Sequence, residues 1–127
     1  ELASALAYMN CGGSDLVAYL VAAHHGKVRL SIRSLPNEKL PVGLPSETKI
    51  ARGVWEGSII NAANLGGGVS IPELKVDLSM MEMGEGSWLE KTLAVRDKHG
   101  PFRLSFLEAL IRSADIRASI KEGKEGK

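Results

Sequence analysis

Apolar residues along this chain recur with two different periods, and the switches between them divide it into three parts. In ELASALAYMN, residues 1–10, Leu2, Leu6 and Met9 fall on one stripe with Ala5, the spacing of an amphipathic helix. Asn10 and the CGG after it stop that helix, because glycine accepts the left-handed backbone of a C-cap. Ser14 then has N-cap chemistry, and Asp15 places a favourable charge in the first turn of a second helix, DLVAYLVAAHH. Its apolar residues run nearly all the way round, as in a buried central helix, and Gly26 ends it.

The period drops to two in KVRLSIRSLP. Val28, Leu30 and Ile32 point one way; Lys27, Arg29, Ser31 and Arg33 point the other, which predicts a strand. Pro36, Pro41 and Pro45 make residues 34–50 a loop. ARGVWEGSII predicts a short strand pairing with the first, NLGGGVSIP a flexible turn, and Leu74, Val76 and Leu78 a third strand. Helical spacing returns in the last third. Ser87 and Glu90 form a capping box before WLEKTLAVRDKHG, with Leu89, Leu93 and Val95 as the apolar face and Gly100 as the stop. Pro101 suits the start of the longest helix, PFRLSFLEALIRSADIRASI, with Leu104, Leu107, Ile111 and Ala114 or Ala118 along one face. KEGKEGK, residues 121–127, is charged and glycine-rich, and predicts a disordered tail. The predicted fold is mainly α: a helical bundle over residues 1–120, with a small β-hairpin excursion after the double histidine.

A length of 127 residues suits a single domain with its own core. The net charge of +1 excludes the overall basic field of a general nucleic-acid binder, so any such binding must rest on a local patch. The single cysteine, Cys11, rules out an internal disulfide and fits a reducing compartment. No apolar run approaches the roughly 20 residues of a membrane span, and no secretory pattern opens the chain, so a cytoplasmic location is expected. A start at Glu1 rather than Met reads as processing, or as numbering inside a longer protein.

Two of the three histidines, His24 and His25, stand side by side at a helix end. Neighbours on a helix lie about 100° apart, so one imidazole can reach a metal and the other a second metal or a phosphate oxygen. The structural alternative is a histidine pair stabilised by the helix dipole. Asp115 lies among Ile111, Ala114 and Ala118, where burial is costly unless the carboxylate meets a cation or donor. Its ordinary alternatives are pairing with Arg112 or Arg117, or exposure to water. Mixed imidazole and carboxylate ligands suit iron, manganese, cobalt or zinc. Lys27, Arg29, Arg33 and Arg52 form a candidate basic strip for a phosphate backbone, or else a solvated strand face. Trp55 and Trp88 read as packing anchors, and the methionines of MMEMGEG as gap fillers. His99, in DKHGP, reads as a solvated histidine at a helix end. Cys11 lacks metal partners, and the three glycines at 66–68 do not fit a phosphate loop.

LVAAHHGKVRLSIRSLP, ARGVWEG and LSMMEMGEGSWLEKTLAVRDKHGPFRLSFLEALIRSADIRAS together resemble the HD-type nuclease domain of the CRISPR-associated helicase-nuclease of type I systems. The likeness is to the variant whose HD domain follows the helicase, often labelled subtype U or G, and runs from about residue 1 to residue 119. It implies an HD-like helical bundle that holds one or two divalent transition-metal ions: manganese, iron, cobalt, nickel or zinc. It implies that His24, His25 and Asp115 match the family's paired histidines and final aspartate, as catalytic metal ligands. Lys27, Arg29 and Arg33 would face DNA phosphates. The implied reaction is hydrolysis of single-stranded DNA, fed by a helicase after a guide-RNA effector complex opens the target, in antiviral defence. The His-Asp dipeptide that names the family does not occur here, so the matched part is the C-terminal portion of such a domain. The expectation is therefore part of a nuclease, incomplete as an isolated chain. The alternatives are a catalytically inactive HD-derived module that binds a protein or nucleic acid, and an HD phosphohydrolase acting on nucleotides. Absent helices would also leave an apolar face through which the chain self-associates.

Overall fold

A computed structural model of the chain describes residues 1–126. Within them stand four α-helices and three two-stranded antiparallel pairs, so the chain is mainly α with small β-pairs. Helix α1 (Leu2–Asn10) packs on α2 (Asp15–Ala23), and α2 also touches α3 (Trp88–His99) and α4 (Pro101–Glu125). The all-round apolarity of α2 is thereby explained: it buries Ala18, Tyr19, Leu20, Ala22 and Ala23. Between α1 and α2 the chain turns tightly over Tyr8. A Cβ at Gly13 would collide with that ring, so any other residue there would force the Tyr8 side chain to move.

Both predicted N-caps form. The Ser14 hydroxyl accepts from the Val17 N–H at 3.4 Å, and the Ser87 hydroxyl from the Glu90 N–H at 3.1 Å. The capping box closes one residue early. The Ser87 N–H is already bonded to the Gly84 carbonyl, so the Glu90 carboxylate takes the Gly86 N–H instead. Helix α3 buries Trp88, Thr92 and Val95 rather than the expected stripe through Leu89 and Leu93, which are half-buried.

Residues 27–35 are not a strand. Val28 and Ile32 are buried as predicted, but Leu30 is 53% exposed and no ladder forms. The expected partner folds on itself instead. Arg52 and Gly53, at φ of +53° and +80°, make a two-residue turn between β1 (Ile50–Ala51) and β2 (Val54–Trp55). So close a turn closes with little loop entropy, and it claims the strand that KVRLSIRSLP needed. The segment is tied down by single bonds: the Trp88 indole N–H donates to the Arg29 carbonyl at 2.6 Å, and Arg52 to the Lys27 carbonyl at 2.9 Å.

The glycine-rich stretch is likewise more ordered than expected. β4 (Ala63–Gly66) and β5 (Val69–Ile71) form a hairpin turned by Gly67 and Gly68, both at positive φ. It rises from the antiparallel pair of β3 (Ile59–Ile60) and β6 (Leu74–Lys75). Met80 and Met81 pack against the core as gap fillers, whereas Met83 is exposed.

Helix α4 departs most from its predicted face. Leu104 is buried and Leu107 half-buried, but Ile111, Ala114 and Ala118 are exposed. The helix also runs on through residues 121–125, which were expected to be disordered, with Lys121 3.7 Å from Glu125 one turn later. Of that predicted tail, Lys127 lies outside the described residues. An uncovered apolar stripe of Phe102, Phe106, Leu110, Ile116 and Ile120 follows the outer side of α4. Among the described residues no helix is long and apolar enough to cross a membrane.

Glu38 fastens the loop to the first hairpin by accepting from the Leu35 N–H at 2.8 Å and from the Gly53 N–H. Burial opposes its charge, but these backbone donors outweigh that and hold its carboxyl below the ordinary value. A lowered folded-state value stabilises above the unfolded one, about 4.3, and that contribution is lost as pH falls further. Glu38→Gln is therefore expected to melt below the wild type at pH 7, with the gap closing in melts run below about pH 4.

Candidate metal centre

The last turn of α2 sets the first ligand candidate. His24 stands at the C-cap, and its Nδ1–H donates to the carbonyls of Val21 at 2.9 Å and Leu20 at 3.2 Å. Both partners are acceptors, so the proton belongs on Nδ1 and Nε2 is left free. His25 follows in a turn closed by Gly26, whose N–H returns to the Ala23 carbonyl at 2.7 Å. Because the helix has already ended, helical spacing no longer separates the two rings. Their centroids lie 4.1 Å apart with planes inclined by 42°. The expectation that the imidazoles serve different faces is corrected: both point to one place.

Asp115 arrives there from α4, some ninety positions along the chain. It is half-buried while Ile111, Ala114 and Ala118 are exposed, so the carboxylate lies on the side of the helix that meets the body. Its Oδ2 lies 3.5 Å from His25 Nε2. One ligand atom each from His24, His25 and Asp115 all fall within 4.8 Å of one another. Among the described residues Asp115 forms no ion pair with Arg112 or Arg117. Glu1 joins the edge of the group, with Oε1 3.3 Å from His25 Nε2. Nothing in the spacing of residues marked Glu1. It reaches the site only because α1 packs on α2.

The predicted basic strip does not assemble as a strand face. Lys27 and Arg33 are exposed, and Arg52 is turned onto the Lys27 carbonyl. Arg29 instead pairs with Glu108 at 3.1 Å. The other oxygen of Glu108 accepts from the Tyr19 hydroxyl, which joins α2 to α4. Burial and this carboxylate together push the Tyr19 hydroxyl far up, so it stays a donor. A cavity of about 370 Å³ opens beside this bridge, with His24 on its wall. His99, the last residue of α3, is outside the histidine–aspartate group, and Cys11 is exposed and free.

No family model, curated protein or solved structure matches the chain. The donors themselves fit a transition-metal ion. Two imidazoles with one carboxylate favour such ions over magnesium or calcium, which prefer all-oxygen ligands. A backbone carbonyl on the second nitrogen of His24 is the support that metal-bound histidines usually have. Three protein ligands are also the number found in catalytic zinc sites, which keep a position open, rather than in closed structural ones.

Proposed function

We propose that His24, His25 and Asp115 hold one divalent transition-metal ion, and that the chain is part of a metal-dependent HD-type nuclease acting on single-stranded DNA. The observation that carries this reading is the convergence of the three ligand atoms within 4.8 Å from two distant parts of the chain. When bound, such an ion supplies Lewis-acid stabilisation of phosphoryl charge and acidifies a water molecule. Manganese, iron, cobalt, nickel and zinc all suit the donors. The chain's own part is to orient the imidazoles, through the Val21 and Leu20 carbonyls on His24, and to bring negative charge from Asp115 and Glu1. A pair of ions roughly 3.5–4 Å apart needs more ligands than these. In this reading they come from outside the present residues, as does the helicase that, with a guide-RNA effector complex, would deliver the strand in the cytoplasm.

A second reading is favoured by a separate observation. The apolar stripe of α4, with Phe102 87% exposed, suits a catalytically inactive module that docks a protein or a second copy of itself. Elemental analysis tests the first reading. The full chain is incubated with each of the five metals in turn and then dialysed exhaustively. One retained ion per chain is expected, followed by manganese- or cobalt-dependent cleavage of single-stranded DNA once the missing ligands are supplied. A chain that retains none of the five overturns the metal reading and leaves the docking module.

A further inference from the structure

The cavity beside His24 is walled by three arginines from three different segments. Arg29 follows α2, Arg96 lies on α3 and Arg112 on α4. Glu108 is the one carboxylate on the wall, and both of its oxygens are engaged, by Tyr19 and by Arg29. Its charge is thus answered and does not repel an incoming anion. Arg29 answers Glu108 and Arg96 answers Asp97, which among the described residues leaves the positive charge of Arg112 unpaired at the wall. Arg96 shares one oxygen of Asp97, and among the described residues Arg112 has no ion pair. Each guanidinium carries five N–H donors in a planar fork, so donors remain free on all three. Leu104 and Ala109 add an apolar wall to the same cavity.

Arginines brought from three segments to one cavity wall, with an apolar side, suit a phosphate attached to a sugar and base. At about 370 Å³ the space lies at the low end of the range for small-molecule pockets, which runs from roughly 300 to 1,000 Å³. That suits one nucleotide rather than a duplex. We infer that this cavity binds the phosphate of a nucleotide through Arg29, Arg96 and Arg112. His24 belongs both to this wall and to the metal-ligand group, and Arg112 precedes Asp115 by one helical turn. The bound phosphate therefore sits next to the metal centre. That last placement rests on the proposed nuclease reading; binding in the cavity does not.

Calorimetric titration of the full chain in EDTA separates the two readings, because no metal takes part. The probes are thymidine 5′-monophosphate, thymidine, and a short oligothymidylate with and without a 5′-phosphate. Saturable binding of the phosphorylated probes is expected, with each unphosphorylated partner weaker by about tenfold or more. Arg96→Ala and Arg112→Ala should each weaken it by about tenfold, Arg112→Lys by less, and Arg117→Ala, outside the cavity, not at all. Amide shifts on titration should centre on Arg29, Arg96 and Arg112, a readout that does not depend on any variant folding. Equal or tighter binding of the phosphorylated strand assigns the cavity to a strand end; binding of the mononucleotide alone assigns it to free nucleotides. Failure of both phosphorylated probes, or shifts centred elsewhere, overturns the inference.

Discussion

Trp88→Ala is expected to lower the stability of this chain by about 3–5 kcal/mol, the cost of emptying a fully packed aromatic site. Trp88 is only 2% exposed and sits at the first turn of α3, inside the cluster that also holds Leu20, Val28 and Leu104. Folded domains have only about 5–15 kcal/mol in reserve, so this loss takes a large share of it. The indole has a second role. Its N–H bond to the Arg29 carbonyl is the tie that holds residues 28–30 where no strand forms. Trp88→Phe keeps most of the volume but leaves that carbonyl unpaired, and should cost about 1–3 kcal/mol. Urea denaturation of the two variants apportions packing against hydrogen bonding. A Trp88→Ala midpoint indistinguishable from the wild type would show that the indole is not part of the core. Emission spectra give an independent check, since Trp55 is half-buried and the blue-shifted signal should vanish with Trp88 alone.

What could be read from the sequence follows from how local its causes are. Ser14 and Ser87 cap their helices as predicted, because a cap needs only the residue and the N–H groups of the next turn. The strand in KVRLSIRSLP failed for the opposite reason. Alternation at Val28 and Ile32 records burial, but a strand also needs a partner, and the Arg52–Gly53 turn took it. Glycines 66–68 looked like slack chain, yet two positive φ angles in sequence are what a tight hairpin turn demands.

Helix α4 shows the limit of periodicity. It carries two apolar stripes, one starting at Leu104 and one at Phe102, and spacing alone cannot say which meets the body. The answer is Leu104, whose side also brings Glu108 and Asp115 inward. The site divides in the same way. His24, His25 and Asp115 stood out as residue types, and their convergence depended on where α2 ends and how α4 lies. Glu1, Arg96 and Arg112 had no local signal, because packing between helices alone gives them a shared neighbourhood.

His25→Ala and Asp115→Ala are expected to reduce metal affinity by at least about 100-fold each, since even supporting residues around a metal account for 10–100-fold. The folded chain should barely register either change. The two side chains are 35% and 43% exposed, and an exposed pair of this kind contributes about 0–1 kcal/mol at most. Loss of metal and loss of structure are thus separable here, which is unusual for ligands in a core. Thermal melts with and without manganese make the separation visible. Binding at 100 times the wild-type dissociation constant stabilises the wild type by about 2.7 kcal/mol, and neither variant should gain more than about 0.4 kcal/mol. Arg117→Ala, on the same helix but outside the group, should gain as much as the wild type. Should both ligand variants be stabilised as much as the wild type, the ion sits elsewhere, and the close approach of His25 to Asp115 and Glu1 is an ion-pair cluster at a helix end. Should the gain vanish in both, the turn after α2 and one face of α4 together make a metal site.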